Sequence, residues 1–132
     1  MLVVENLEAN IGRVPVLRGV SLKVAPGQTV ALLGRNGVGK TSTLRGILGL
    51  LRRTGGRVTY NGEDLSRIPS HKLARLGLGY VPQGRGIFPL LTVEENLLLG
   101  VDGAPPQGLL DDLYTRFPRL AERRKQAAGT LS

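Results

Sequence analysis

Residues 34–41 have the sequence Gly-Arg-Asn-Gly-Val-Gly-Lys-Thr and match the phosphate-binding pattern G-x-x-x-x-G-K-[ST] at every fixed position. A bound triphosphate needs several backbone N–H groups converging on its oxygens, and a loop with little side-chain bulk lets the backbone come that close. Lys40 adds a mobile positive charge for the β- and γ-phosphates, and the Thr41 hydroxyl is suited to Mg²⁺. We therefore predict that a nucleotide and Mg²⁺ bind together at the loop formed by Gly34, Arg35, Asn36, Gly37, Val38, Gly39, Lys40 and Thr41.

The elements on either side of this loop are predicted to present it to the phosphates. Residues 28–33 are a short apolar run of the kind expected for a buried parallel strand. Residues 42–51 are predicted to be helical, and the amides and dipole at the start of such a helix favour an anion. Pro26 and Gly27 predict a type II turn before the strand. The order of strand, glycine loop and helix indicates a nucleotide-binding α/β fold.

Composition limits the class of protein. A chain of 132 residues makes one modest domain, and the absence of cysteine excludes disulfides and thiolate metal sites. The net charge of +8 discriminates weakly between anionic partners, and few aromatic side chains are available to stack on bases, so no nucleic-acid partner is expected. The N-terminus lacks a basic region followed by an apolar core, and no apolar run is long enough to span a membrane, which favours a soluble, cytoplasmic protein.

Strands and helices are predicted to alternate before residue 82. Residues 2–24 have the pattern of short strands, and residues 56–60 are predicted to be a strand that ends in a turn. Residues 70–76 are predicted to be a helix ending at Gly77, and residues 78–81 a strand halted by proline.

The second half of the chain is predicted to be mainly helical. Thr92 and Glu95 have the spacing of a capping box, which begins a helix that ends near residue 99. Residues 102–108 are the best linker candidate, because glycine and proline are concentrated there. Residues 109–128 are predicted to form one or two helices, interrupted at Pro118.

Three further segments carry a resemblance to a known family. Tyr-Val-Pro-Gln at 80–83 follows the predicted strand, Phe-Pro-Leu-Leu-Thr-Val-Glu-Glu-Asn-Leu occupies 88–97, and Leu-Ser ends the chain at 131–132. Together with the phosphate loop, this ordered set resembles the ATP-binding subunit of ABC transporters over the whole chain. Residues 81–89, Val-Pro-Gln-Gly-Arg-Gly-Ile-Phe-Pro, look most like the importers for branched-chain amino acids, and especially their urea or short-amide relatives.

The resemblance implies a fold, a function and partners. The fold would be α/β, a P-loop NTPase core with an N-terminal antiparallel β-region (residues 1–82) and the start of a helical subdomain (residues 83–132), together an incomplete ABC ATPase domain. The protein would couple ATP binding and hydrolysis to uptake of a branched-chain amino acid, urea or a related small solute. Its partners would be a second ATP-binding subunit and membrane-embedded permease subunits, which would hold it on the inner face of the cell membrane.

The resemblance also assigns roles to individual residues. Gln83 matches the Q-loop glutamine, which reaches Mg²⁺ and the attacking water and couples nucleotide state to transport. Lys40 and Gln83 are therefore the predicted catalytic residues, and Thr41 and Gln83 the predicted metal-contacting residues. Ser42 is expected to support the α- and β-phosphates beside Thr41. The implied cofactors are ATP and Mg²⁺.

The position of Leu131 and Ser132 affects the expected activity. In the family, Leu-Ser begins the signature Leu-Ser-Gly-Gly-Gln, which is followed by an acidic strand end, a catalytic glutamate and a switch histidine. The resemblance then implies a sequence truncated at the start of the signature, with the 132-residue chain inactive by itself. The alternative interpretation is a truncated nucleotide-binding module without hydrolytic activity.

We predict somewhat weaker discrimination between ATP and GTP than an aromatic residue in the β-region would give. The family usually places an aromatic residue in the β-region to stack on adenine, but Ile11 occupies the aligned position, so that the base would pack on Ile11 and Val16. A stacking increment of about 0.5–1.5 kcal/mol would then be absent. Measuring the Kd of both nucleotides tests this expectation, and a strong preference for ATP would contradict it.

Overall fold

The structure, a computed structural model, describes residues 1–84, 86–101 and 103–131 and divides into two compact units. We call Met1–Gly79 the sheet unit and the part that begins at Tyr80 the helical unit. Three residues in predicted segments, Arg85, Asp102 and Ser132, lie outside the described residues. The phosphate loop belongs to the sheet unit and Gln83 to the helical unit.

An antiparallel sheet forms the body of the sheet unit. Within the described residues it has four strands in the order β2-β1-β3-β4, with the bounds β1 Leu2–Ile11, β2 Val14–Val24, β3 Arg52–Tyr60 and β4 Glu63–Asp64. β1 and β2 form a hairpin with a tight turn, so that Ile11 lies opposite Val14. The predicted N-terminal antiparallel β-region is therefore confirmed.

A bulge in β1 brings two backbones unusually close. The pairing of β1 with β2 and with β3 shifts register around Asn6, whose φ is 47°. Gly56 on β3 has a φ of 79°, and a Cβ atom added to it would lie 2.3 Å from the Asn6 carbonyl oxygen. Only glycine fits at position 56, because a side chain there would overlap the backbone of β1.

The helix after the phosphate loop, α1 (Lys40–Ile47), packs directly on the sheet. Gly46 allows this approach, since a Cβ atom there would lie 2.8 Å from Leu17 Cδ1 and 3.2 Å from Leu7 Cδ2. Ile47 joins the buried core, whose other members come from the strands and from the turns after β4: Val4, Leu7, Ala9, Leu17, Val58, Leu65 and Leu73. The sheet thus holds the end of α1, while the first turn of α1 carries the loop.

The segment before the loop differs from its prediction. The predicted turn is present, with a φ of 71° at Gly27 and the Gln28 amide donating to the Ala25 carbonyl at 3.1 Å. The predicted buried strand over 28–33 is wrong, since no strand forms there and Leu33 is 86% exposed. A parallel strand needs a neighbour for its backbone hydrogen bonds, and none of the described strands pairs with this segment.

Short 3₁₀ turns complete the sheet unit. They span Leu65–Arg67 and Ser70–Leu76, and the second ends at Gly77 with a φ of 85°. The predicted helix over 70–76 is therefore present as 3₁₀ rather than α-helix. The strand predicted over 78–81 is wrong, and the reason is again that no described strand lies beside it.

The helical unit contains three short α-helices among its described residues. They are α2 (Val93–Leu98), α3 (Leu109–Arg116) and α4 (Pro118–Glu122). Thr92 and Glu95 form the predicted capping box at the start of α2, and Pro118 separates α3 from α4 as predicted. Within the residues that the structure describes, no helix has the length and apolarity that a membrane crossing requires.

Replacing Gly56 by alanine should strongly destabilise the sheet unit. The positive φ costs an L-residue about 1–2 kcal/mol, and the overlap with Asn6 adds about 1–3 kcal/mol. Gly62→Ala is the matched control, because Gly62 has a φ of 86° but no described atom within 4 Å of an added Cβ. Urea unfolding followed by circular dichroism measures both free energies, and equal losses would contradict the role of the bulge.

Candidate nucleotide-binding site

Lys40 closes the phosphate loop on itself. Its Nζ donates to the Gly34 carbonyl at 2.6 Å and to the Arg35 carbonyl at 2.8 Å. An ammonium group has three N–H donors, and these bonds occupy two of them. The side chain therefore ties the beginning of the loop to the beginning of α1, with its charge inside the loop.

Three glycines give the loop its shape. Gly34, Gly37 and Gly39 have φ values of 154°, 83° and 104°. A Cβ atom on Gly34 would lie 2.7 Å from Val38 Cγ1, so the packing of the loop itself requires glycine there. At Gly37, no described atom lies within 4 Å of an added Cβ, which leaves the backbone open to an approaching anion.

The first turn of α1 suits a phosphate. Gly39 is its N-cap residue, no side-chain hydrogen bond caps it within the described residues, and its first turn contains no acidic residue. Thr43 secures this end, because its amide and its hydroxyl both donate to the Gly39 carbonyl, at 2.8 Å and 2.9 Å. The first-turn amides and the helix dipole are therefore available to an anion.

The stretch of sequence that contains the loop carries charges of one sign. No aspartate or glutamate occurs between residues 9 and 62, whereas the basic side chains there are Arg13, Arg18, Lys23, Arg35, Lys40, Arg45, Arg52, Arg53 and Arg57. Such an excess raises the local concentration of anions.

Mg²⁺ fits this site only together with phosphate. The described part of the chain has no group of three or more His, Cys, Asp or Glu side chains that could hold a metal ion. Thr41, which is exposed, offers one hydroxyl oxygen in the loop. Mg²⁺ commonly takes one or two protein ligands and completes its shell with phosphate oxygens and water. The residues present therefore suit Mg²⁺ that arrives bound to a nucleotide.

The two residues predicted to contact the base lie on the paired strands of the β1–β2 hairpin. A Cβ atom added to Gly39 would lie 3.7 Å from the Val16 carbonyl oxygen, so β2 runs beside the loop at this point. Ile11 lies at the tip of the β1–β2 hairpin and is 50% exposed. The backbone of Val16 therefore lies beside the loop, and Ile11 lies at the tip of the same hairpin, opposite Val14.

Gln83 is exposed in a bend near the start of the helical unit, before Gly84, which has a φ of 94°. The segment that follows it is held by Asn96 of α2. The Asn96 Oδ1 accepts from the Phe88 amide at 2.8 Å, and its Nδ2 donates to the carbonyls of Phe88, Leu91 and Thr92 at 3.0, 3.3 and 2.9 Å. One side chain therefore satisfies four backbone groups and fixes the turn at residues 88–92.

Residues 88–94 also pair with residues 124–131. Gly129 allows the close approach, because a Cβ atom there would lie 2.7 Å from Pro89 Cβ. Four backbone hydrogen bonds of 2.8–3.0 Å join the segments, with the donor and acceptor pairs Ala128–Leu91, Gly129–Pro89, Val93–Gln126 and Glu94–Arg124. The backbone before Leu131 is thus attached to the turn that follows the Gln83 segment.

The carboxylates of α2 form hydrogen bonds within the helical unit. Glu95 accepts from the Thr92 amide at 2.7 Å and from the Thr92 hydroxyl at 2.8 Å, and these bonds lower the pKa of Glu95. The Tyr114 hydroxyl donates to Glu94 at 2.8 Å, and burial, followed by this bond, raises the pKa of Tyr114. Both carboxylates are therefore engaged in structural hydrogen bonds.

A comparison with protein families gives a match that covers both the loop and the helical unit. The family model described as "ABC transporter" matches residues 17–132, which include the phosphate loop, Gln83 and the segments paired in the helical unit. The chain belongs to the ABC transporter family. The resemblance carried by the sequence motifs is thereby confirmed.

Individual relatives within the ABC transporter family cover the chain to different extents. The high-affinity branched-chain amino acid transport ATP-binding protein BraG of Pseudomonas aeruginosa is 38% identical over 135 residues, covering 100% of this chain and 58% of that protein. The probable branched-chain amino acid transport ATP-binding protein LivF of Archaeoglobus fulgidus is 35% identical, covering 100% and 57%. The lipopolysaccharide export system ATP-binding protein LptB of Haemophilus influenzae is 44% identical over 98 residues, covering 74% and 41%. The chain therefore spans less than two thirds of the length of these relatives.

Solved structures confirm the fold class of this ABC chain. A structure described as an ATP-binding subunit of an ABC transporter matches with a TM-score of 0.82 and 28% identity, covering 100% of this chain and 56% of that one. A nucleotide-free ATP-binding cassette matches with a TM-score of 0.81 and 27% identity, covering 100% and 59%. The described fold is that of part of an ABC ATPase domain.

Thr43 and Arg53 hold α1, and Asn96 holds the turn at residues 88–92, but none of the three received a role from the sequence. Thr43 and Asn96 lie inside recognised segments, and small polar residues that bond to nearby backbone are a known signal at helix starts and turns. Arg53 donates to backbone carbonyls of α1 from β3, six and seven residues along the chain. No local pattern reveals such a contact.

Asn96→Asp should destabilise the helical unit by about 1–3 kcal/mol at pH 7, because a carboxylate cannot donate and would face three carbonyl oxygens. These oxygens would raise the pKa of the new carboxyl in the folded state. The loss should therefore shrink as the pH falls through that pKa, since the protonated carboxyl can donate again.

Gln107→Glu makes the same chemical change at an exposed position of the same unit and serves as the control. Urea unfolding at pH 7 and pH 4.5, with each variant compared with the unmodified chain, measures both effects. Asn96→Asp could lose no more unfolding free energy than the control, or its loss could grow as the pH falls. Either result would show that the turn does not depend on the Asn96 amide.

Proposed function

We propose that the chain contains the nucleotide-binding part of an ABC importer's ATP-binding subunit, which couples ATP binding and hydrolysis to uptake of a small solute. The observation that carries the proposal is the loop from Gly34 to Thr41, in which open backbone, an uncapped first turn of α1 and the Lys40 ammonium converge. Family membership supports ATP as the nucleotide.

Each residue of the loop has a proposed task. Gly37 and Gly39 let backbone amides reach the phosphates, Lys40 exchanges its bonds to the loop carbonyls for bonds to the β- and γ-phosphates, and Thr41 and Ser42 contact Mg²⁺ and the α- and β-phosphates. Mg²⁺ supplies the charge that stabilises the transferring phosphoryl group. Gln83 acts on Mg²⁺ and the attacking water and transmits nucleotide state to permease subunits in the membrane.

We further propose a branched-chain amino acid, urea or a related small solute as the cargo. The names of BraG and LivF support branched-chain amino acids, since both proteins match along the whole chain. The name of LptB, which matches a shorter stretch, makes lipopolysaccharide export the competing assignment. The segment at 81–89 favours an importer. A second ATP-binding subunit would complete the working transporter.

A second candidate is a nucleotide-binding module that does not hydrolyse ATP. It is favoured by the absence of acidic residues from 9 to 62 and by the structural bonds of Glu94 and Glu95, since a general base for water must lie within hydrogen-bond reach of it. Binding is common to both candidates, and phosphate release distinguishes them.

The chain should bind MgATP, and Lys40→Ala should weaken binding by about tenfold or more, because a charge-assisted bond to phosphate is lost. Lys72→Ala is the matched control, since Lys72 is an exposed lysine outside the loop. Isothermal titration calorimetry measures the Kd values. No binding by the unmodified chain, or equal weakening in both variants, would refute the proposed site.

Phosphate release under the same conditions separates the two candidates. Steady release that Lys40→Ala abolishes supports an ATPase, and binding without release supports the module. The cargo is tested with two chimeras, in which the chain replaces the matching part of BraG or of LptB. In cells that lack the corresponding protein, the BraG chimera should restore uptake of labelled leucine, and the LptB chimera should not restore lipopolysaccharide export. Restored lipopolysaccharide export in place of uptake would overturn the importer assignment.

A further inference from the structure

Arg53 joins β3 to the end of the helix that carries the phosphate loop. Its Nε donates to the Gly46 carbonyl at 2.9 Å and its Nη2 donates to the Ile47 carbonyl at 3.0 Å. Both carbonyls belong to the last turn of α1, where backbone acceptors have no partner within the helix. The Gly46 carbonyl also accepts from the Gly49 amide at 3.1 Å, so the guanidinium adds a second bond there, binds the Ile47 carbonyl and complements the negative end of the helix dipole.

The guanidinium is enclosed as well as bonded. Its Nη1 is buried and has no hydrogen-bond partner among the described residues, and burial lowers the pKa of Arg53, an effect that Asp64 partly offsets. A Cβ atom added to Gly49 would lie 3.3 Å from Nη2, so the chain after α1 also closes on this group. An enclosed guanidinium with two directed bonds has little freedom to move.

The short length of α1 connects this contact to the loop. The helix has eight residues, with Lys40 at one end and Ile47 at the other. At about 1.5 Å per residue, its two ends are only about 12 Å apart. Gly46 lies against Leu17 and Leu7 in the middle of the contact with the sheet. A shift in the position of the last turn therefore also shifts the first turn, because the helix between them is continuous.

No described strand supports the loop from its other side. Residues 28–33 form no strand, and residues 34–38 are exposed. Within the sheet unit, the described supports of the loop are α1 itself and the contact of Gly39 with β2. The direction in which α1 presents its first-turn amides then depends on how its last turn is held.

We propose that Arg53 is a positioning residue for phosphate binding: by holding the last turn of α1 on β3, it fixes the direction of the first-turn amides toward the β- and γ-phosphates. This inference rests on the proposed nucleotide site and deepens it. Arg53 touches no nucleotide atom in this scheme. Arg53 therefore affects the affinity for the phosphates and not the affinity for the base.

The test compares Arg53→Met with Arg52→Met in the full 132-residue chain. Methionine keeps an unbranched apolar stem but has no N–H donors. Arg52 is exposed on the neighbouring position of the same strand, so the control removes an equal charge from the same element. Arg53→Lys is the conservative variant, which returns the charge and one donor group to the last turn of α1.

Titration calorimetry measures the affinities for MgATP and for AMP. A purely structural role of Arg53 would not change the ratio of these two affinities. Arg53→Met should weaken MgATP binding about tenfold and leave the Kd of AMP nearly unchanged, so the ratio of the two affinities falls. Arg53→Lys should recover part of this ratio, and Arg52→Met should keep it. Loss of stability alone would lower the fraction of binding-competent protein without changing the ratio.

Hydrogen exchange in the absence of nucleotide tests separately whether Arg53 holds the last turn of α1. The amides of residues 40–47 should exchange faster in Arg53→Met than in Arg52→Met. If the unmodified chain binds no MgATP, the proposed nucleotide site is refuted. The exchange rates still show whether Arg53 holds the last turn of α1. If the chain binds MgATP but the affinity ratio and the exchange of α1 are equal in both variants, the positioning role of Arg53 is overturned.

Discussion

The close approach of α1 to the antiparallel sheet is the constraint on which the site depends. It favours glycine at position 46, since a Cβ there would lie 2.8 Å from Leu17 Cδ1 and 3.2 Å from Leu7 Cδ2 and would displace these side chains. Ile47 turns into the core, and Arg53 binds the carbonyls of Gly46 and Ile47 in the last turn. Because these contacts fix the helix, the glycine loop can remain thin and exposed and still hold its shape.

The two ends of α1 have opposite requirements. Its last turn needs packing, and Gly46, Ile47 and Arg53 supply it from the sheet side. Its first turn needs unused donors, and Gly39 as N-cap residue and the absence of acidic residues from the first turn preserve them. The strict positive charge between residues 9 and 62 adds attraction for an anion, although net charge alone would have fitted many partners.

Features set by local chemistry could be predicted from the sequence. The glycine pattern at 34–41, the capping box at Thr92 and the break at Pro118 each depend on neighbours only a few residues away. The strands over 28–33 and 78–81 were predicted wrongly because a strand is completed by a partner, which an apolar run does not specify. The support from Arg53 and the four bonds of Asn96 depend on tertiary placement, which spacing alone does not encode.

The pairing of residues 88–94 with residues 124–131 has a consequence for how such a chain can vary. It clamps both ends of the stretch between them, which contains α3 and α4. Closing a longer loop on fixed ends costs only about 0.6 kcal/mol for each doubling of its length. Insertions and deletions in the α3–α4 stretch can therefore accumulate during divergence without displacing the clamped ends. A change of length there leaves the segment after Gln83 attached to the backbone before Leu131.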